Sequence, residues 1–154
     1  MNNKILVVMT VSLLLVFQTG CGVFGNGAKQ VNGKDVKKGA LDIVFVKDNY
    51  DFGVVEQGNY PGYEFIFVNK SEVPVQVQEF RGCNLTVPAY SKETINPQDS
   101  GFFKLILNPR DISGKFQKKM QLVFKYEKKG EDQYTYEEVY LTGKVIRGYS
   151  SKRE

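Results

Sequence analysis

Residues 50–71 read YDFGVVEQGNYPGYEFIFVNKS, from Tyr50 to Ser71. The run describes a short strand, a turn and a long alternating strand. Tyr63, Phe65 and Phe67 share one parity, while Glu64, Ile66 and Val68 share the other. Side chains of a strand alternate faces, so the three rings point the same way. Gly53, Gly58 and the Pro61-Gly62 pair fall where the backbone must bend. Asn69 starts the next turn.

The same grammar extends in both directions. Upstream, Leu41–Val46 is a short apolar strand. Downstream, Val73–Phe80 alternates through Val73, Val75 and Val77, and Pro74 places its start at an edge or lip of a sheet. Arg81–Tyr90 is irregular, broken by Gly82 and Pro88, and Ser91–Ser100 reads as a loop. Phe102–Leu107 alternates with Phe103, Leu105 and Leu107 on one face. Phe116–Tyr126 is the clearest strand: Met120, Leu122, Phe124 and Tyr126 share a face, and Val123 is the one apolar residue opposite. Glu127–Glu131 is a polar hairpin loop. Tyr134–Ile146 returns with Val139, Leu141 and Val145 inward. About seven strands at regular spacing, with no helical period, indicate an all-β, antiparallel two-sheet sandwich. Gly53, Gly58, Asn69, Pro74, Pro97, Gly101 and Gly143 read as turn and bulge positions.

Composition agrees. The chain has 154 residues, with 9 Tyr, 11 Phe, no Trp and no His. Without histidine there is no Ser-His-Asp or Cys-His catalysis and no His-ligated zinc. The net charge of +4 is a mild excess. No basic stripe with interleaved aromatics points to nucleic acid, and no glycine-rich phosphate loop is present.

The N-terminus has the layout of a secretory signal. Lys4 precedes the apolar run Ile5–Phe17, and Gln18-Thr19-Gly20 leads to Cys21. The stretch resembles a bacterial lipobox, with Gln18 in place of the usual Leu. Residues 1–20 are expected to be a lipoprotein signal peptide and Cys21 the acylated residue. The partner implied is the membrane, reached through acyl chains on Cys21, since two or three chains give stable anchoring. Residues 21–40 then form a flexible Gly-, Asn- and Lys-rich tether. Its Lys29, Lys34, Lys37 and Lys38 could touch anionic lipid. Residues 41–147 form the sandwich and 148–154 a polar tail.

The punctuation also resembles a bacterial family, domain of unknown function 1573. Asp51-Phe52-Gly53 with Gly58, Phe67-Val68-Asn69 with Val73-Pro74-Val75, and Thr86-Val87-Pro88 follow its pattern in order. So do Ile95-Asn96-Pro97 with Ser100-Gly101, Gly114-Lys115-Phe116 with Lys118, and Leu141–Val145. The resemblance covers about residues 45–146. It implies an immunoglobulin-like sandwich of the PapD and Hydin-like type, in secreted or lipid-anchored proteins common in Bacteroidetes, with no assigned reaction. The family's C-G-C-T step is here Cys83-Asn84-Leu85-Thr86. The second cysteine is missing, which leaves a metal or redox role without its pair.

Two places could carry function. Cys83 is a candidate reactive thiol, with Arg81 on the same side of a strand to lower its pKa, or else a small buried apolar residue. A disulfide between Cys21 and Cys83 requires an unlipidated Cys21. Tyr134, Tyr136 and Tyr140 form an aromatic stripe that could bind a glycan or a partner protein, or simply stabilise the sheet. Glu137 and Glu138 are adjacent and so face opposite sides. An exposed edge strand could add a partner's strand. No catalytic residue, metal site or cofactor is assigned. The expectation is a non-enzymatic, lipid-anchored cell-envelope module, on the periplasmic side or the outer-membrane surface, that binds an unidentified envelope protein or glycan. The alternatives are a carbohydrate-binding accessory using the tyrosines and a thiol-dependent redox protein using Cys83.

Overall fold

The structure, a computed structural model, describes residues 36–148. The signal segment, Cys21, most of the tether and residues 149–154 lie outside the described residues. The strands are β1 (Lys37–Lys38), β2 (Ile43–Phe45), β3 (Asn49–Glu56), β4 (Gly62–Asn69), β5 (Val75–Arg81), β6 (Leu85–Tyr90), β7 (Ser100–Leu107), β8 (Gly114–Lys128) and β9 (Glu131–Ile146). One sheet has the order β1-β9-β8-β5, with β3 also on β9; the other has the order β2-β4-β7-β6. Their inner faces enclose one apolar core. The expected all-β sandwich is the fold found, and among the described residues there is no helix.

The core follows the parity of the strands. Phe65, Phe67, Phe103, Leu105, Leu107, Met120, Leu122, Phe124, Val139 and Leu141 are fully buried. Each contributes about 1.5–3 kcal/mol by leaving water. Phe67 on β4 meets Phe124 on β8 across the core, ring centroids 5.1 Å apart. At one end of the sandwich Tyr63 stacks on Tyr50 of β3 at 3.7 Å.

Several boundaries and orientations differ from the sequence reading, each for a backbone reason. β6 forms within the stretch read as irregular. Its register slips between Thr86 and Ala89, so Pro88 sits in the irregularity of an edge strand, where no ladder donor is needed. In β5 the register slips at Gln78. Simple alternation would send Glu79 inward with Val77; the bulge sends Phe80 to the core instead. β8 and β9 run right up to a two-residue turn, Lys129-Gly130, with φ of 56° and 79°. Two positive φ values match a type I′ hairpin, which glycine accommodates. Gly101 is not a turn residue. It lies within β7 opposite Phe67, whose ring would sit 2.4 Å from an added Cβ.

The tether also ends earlier than residue 40. β1 pairs in parallel with Thr135 and Tyr136 of β9, and β3 also runs parallel to β9. Thr135, fully buried, donates to the Lys37 carbonyl at 2.7 Å and accepts from the Ala40 amide at 3.0 Å. Lys38 bonds Glu138, its side chain half-exposed.

Asn69, at the end of β4, is fully buried. Its Nδ2 donates to the carbonyls of Val73 at 2.9 Å and Ile95 at 3.0 Å, and its Oδ1 accepts from the Ser71 amide at 3.1 Å and from the Ser71 hydroxyl. Asn69→Leu would keep the volume but leave the buried Ser71 amide without its acceptor and take one of two donors from each of the Val73 and Ile95 carbonyls. A loss of roughly 3 kcal/mol is expected from the unsatisfied buried groups, read as a lower urea midpoint at unchanged slope. A midpoint equal to that of the wild type would contradict this role.

Candidate interaction surfaces

The outer face of the five-stranded sheet carries the tyrosine stripe. Across the β8–β9 ladder Tyr134 faces Lys125, Tyr136 faces Val123, Glu138 faces Gln121 and Tyr140 faces Lys119. The three tyrosines thus share one face, and each is half-buried. Glu138 stands between Tyr136 and Tyr140, with its side chain only 6% exposed. It is bonded by Lys38, by Lys119 at 2.8 Å, by the Gln121 amide at 3.1 Å and by the Tyr140 hydroxyl at 3.0 Å. The Tyr140 hydroxyl is therefore engaged within the domain. Val123, the lone apolar residue on this side of β8, is fully buried between Glu79 and Tyr136. Glu79 in turn holds Arg81 at 2.9 Å.

Electrostatics follow from these contacts. The Lys119 and Lys38 ammonium groups that bond Glu138 hold its carboxyl well below the usual carboxylate range. Burial pushes the neighbouring Glu137, on the opposite side of β9, upward. Because folding lowers the Glu138 pKa, its stabilisation is present above the unfolded value of about 4.3 and is lost as pH falls through the folded value. Glu137 acts in the reverse sense, favouring the native state as pH falls. Glu138→Gln should therefore unfold at a lower temperature than the wild type at neutral pH, the gap narrowing between about pH 5 and pH 2. An equal gap at both ends of that range would rule out the ion-pair origin.

Cys83 lies half-buried in the connection between β5 and β6, beside the positive-φ residue Asn84. There is no free cysteine among the described residues. No group of three or more His, Cys, Asp or Glu that could hold a metal occurs among them either.

The outer face of the four-stranded sheet is different. Ile66 of β4 pairs with Phe102 of β7, and the Val46 amide donates to the Ile66 carbonyl at 2.9 Å. Val46, Ile66 and Phe102 therefore form one row across three chain segments. Val44 and Val68 are paired in the next row. Exposure is 73% for Val46, 46% for Val44, 42% for Ile66 and 38% for Phe102. On the other side of the row, Glu64 faces Lys104 in register. Among the described residues neither of these two makes an ion pair. Beyond Phe102 lies a shallow groove of about 550 Å³, lined by Tyr90, Ser91, Ile95 and Phe102 and also by the charged Lys92, Glu93 and Asp99. This face is not among the surfaces expected from sequence. Its trace was visible: Ile66 and Val68 are apolar on the parity opposite the rings, and residues 41–46 are apolar almost throughout. A strand apolar on both sides reads as buried on both sides, and only the topology shows that one side is open.

The family model described as a protein of unknown function, DUF1573, matches residues 43–145. This chain belongs to the DUF1573 family. No curated protein matches the sequence. Among solved structures, PapD-like domain 7 of human CEP192 superposes with a TM-score of 0.56 at 10% identity, covering 81% of this DUF1573 chain and 99% of that one. A Porphyromonas gingivalis W83 protein of unknown function gives 0.51 at 10% identity, with coverage of 66% and 46%. The YadV chaperone gives 0.50 at 12% identity, with coverage of 73% and 55%. The DUF1573 chain thus spans about half the length of the last two. At these identities the likeness establishes the PapD-like, immunoglobulin-like fold alone.

Proposed function

We propose that this DUF1573 protein is a non-enzymatic protein-binding or structural module, held to a bacterial cell envelope by acyl chains on Cys21. The observation that carries the binding half is the exposed row of Val46, Ile66 and Phe102, flanked by Val44. A contiguous row of exposed apolar side chains marks a surface that is covered when the protein works. The sheet offers the centre of this patch rigidly, because β4 and β7 are fixed by ladders on both sides. The YadV neighbour is itself a chaperone, which supports a protein partner for a fold of this type. The anchor half rests on the signal-like layout of Lys4, the apolar run and Gly20-Cys21. The tether that follows would let the domain stand off the membrane and reach a partner beside it.

One preparation tests both halves. A photo-reactive residue is placed at position 102 in cells, with position 117 on the outer face of the opposite sheet as control, and the protein is recovered from membranes. Cross-linking to protein from position 102 but not from 117 is expected, and the N-terminal peptide should begin at a diacylglyceryl-modified Cys21. Equal or absent cross-linking at the two positions would overturn the binding surface. A Cys21 with a bare thiol or in a disulfide would overturn the anchor.

A further inference from the structure

We propose that the occupant of the outer β2-β4-β7-β6 face is a second copy of this chain, packed about a two-fold axis parallel to the strands and midway between β4 and β7. This rests on the protein-contact reading of the face and names its partner.

Symmetry and charge point to the same arrangement. In a face-to-face pair with that axis, each residue of β4 lands over its register partner on β7 of the other copy. Ile66 then lies on Phe102, and Phe102 on Ile66, so the apolar row covers itself. Glu64 lands on Lys104 of the second copy and Lys104 on its Glu64. These are the two charges beside the row, and neither has an ion-pair partner within the described domain. An isologous interface needs this kind of self-complementarity. The alternative in-plane axis, across the strands through the 66–102 row, sets Glu64 over Val68 and Lys104 over Ser100, leaving both charges unmatched. The same operation carries β2 over β6, and Val46, the most exposed apolar side chain of the face, faces the groove beside Phe102 and Ser91. Ser91 extends that row, its amide donating to the Phe102 carbonyl at 2.9 Å. Aligned sheets pack about 10 Å apart and within about 30° of parallel, so the pairs nearest the axis remain in contact after twist is allowed for.

The charges supply a test that separates association from folding. Sedimentation equilibrium of the full chain is measured in density-matched detergent, for the wild type, Glu64→Lys, Lys104→Glu, and an equimolar mixture of the two variants. The wild type should be a concentration-dependent dimer. Each variant alone opposes like charges at both contacts, and its dissociation constant should rise about tenfold or more. The mixture should dimerise again, because the copy carrying E64K sets two lysines against the two glutamates of the copy carrying K104E. A monomeric wild type, single variants as dimeric as the wild type, or a mixture that stays monomeric would each overturn the proposal. If position 102 still cross-links to another protein while the wild type sediments as a monomer, the contact surface stands and the second copy is rejected. If both fail, both readings fall.

Discussion

A single buried amide holds the two halves of the sandwich in step. Asn69 closes β4 in the four-stranded sheet and donates to the Ile95 carbonyl. Ile95 in turn pairs through its backbone with Val75, the first residue of β5 in the other sheet. The Asn69 backbone adds bonds to Asp99 and Gln98, so residues 95–99 are fixed from both sides. A carboxylate in this place would repel the Val73 and Ile95 carbonyls, and an apolar side chain would take a donor from each and the acceptor from the Ser71 amide. The amide is the one side chain with two donors and an acceptor in so small a volume. Its position also matters for the surface, because the segment it fixes lies next to Phe102.

Local backbone devices then decide which side chains meet. The slip at Gln78 turns Phe80 into the core, where its ring lies 5.5 Å from that of Phe103. In β3 the register slips between Asp51 and Val54, with Gly53 at φ 66° and its amide bound by the Asp51 carboxylate at 2.9 Å. That irregularity lets Tyr50, Phe52 and Val55 all pack toward the core although they do not share a parity. Gly101 makes room for the Phe67 ring. Bulges of this kind re-aim a strand without ending it.

The fold was legible because periodicity and turn chemistry act locally. The alternation of Phe65 and Phe67, and of Leu122 and Phe124, is visible in any window of a few residues and survives unchanged in the structure. The bulges were not legible, since a slip at Gln78 shows only against the strand it pairs with. β1 was hidden for the same reason: Lys37–Lys38 has no apolar period, and it is ordered by Thr135 and Glu138, about a hundred residues away. The tyrosine stripe was legible as a shared face, but the carboxylate knot at Glu138 within it was not, because its donors come from three strands. The open apolar face was invisible as a surface. Ile66 and Phe102 sit on different strands, and only their register makes them neighbours.

What emerges is a domain whose interior is satisfied and whose two outer faces differ in kind. The five-stranded sheet turns outward three half-buried tyrosines and the Glu138 carboxylate bonded by Lys38, Lys119, Gln121 and Tyr140, with Val54 and Ile146 exposed toward its β3 edge. The four-stranded sheet turns outward valine, isoleucine and phenylalanine beside two unmatched charges. A face of this second kind is expected to be covered in the working protein. Hydroxyl-radical footprinting reads this directly, by comparing oxidation of Phe102 with that of Tyr134 in native membranes and in dilute purified protein. Phe102 should be protected several-fold in membranes while Tyr134 is unchanged. Equal oxidation of Phe102 in the two settings would contradict it.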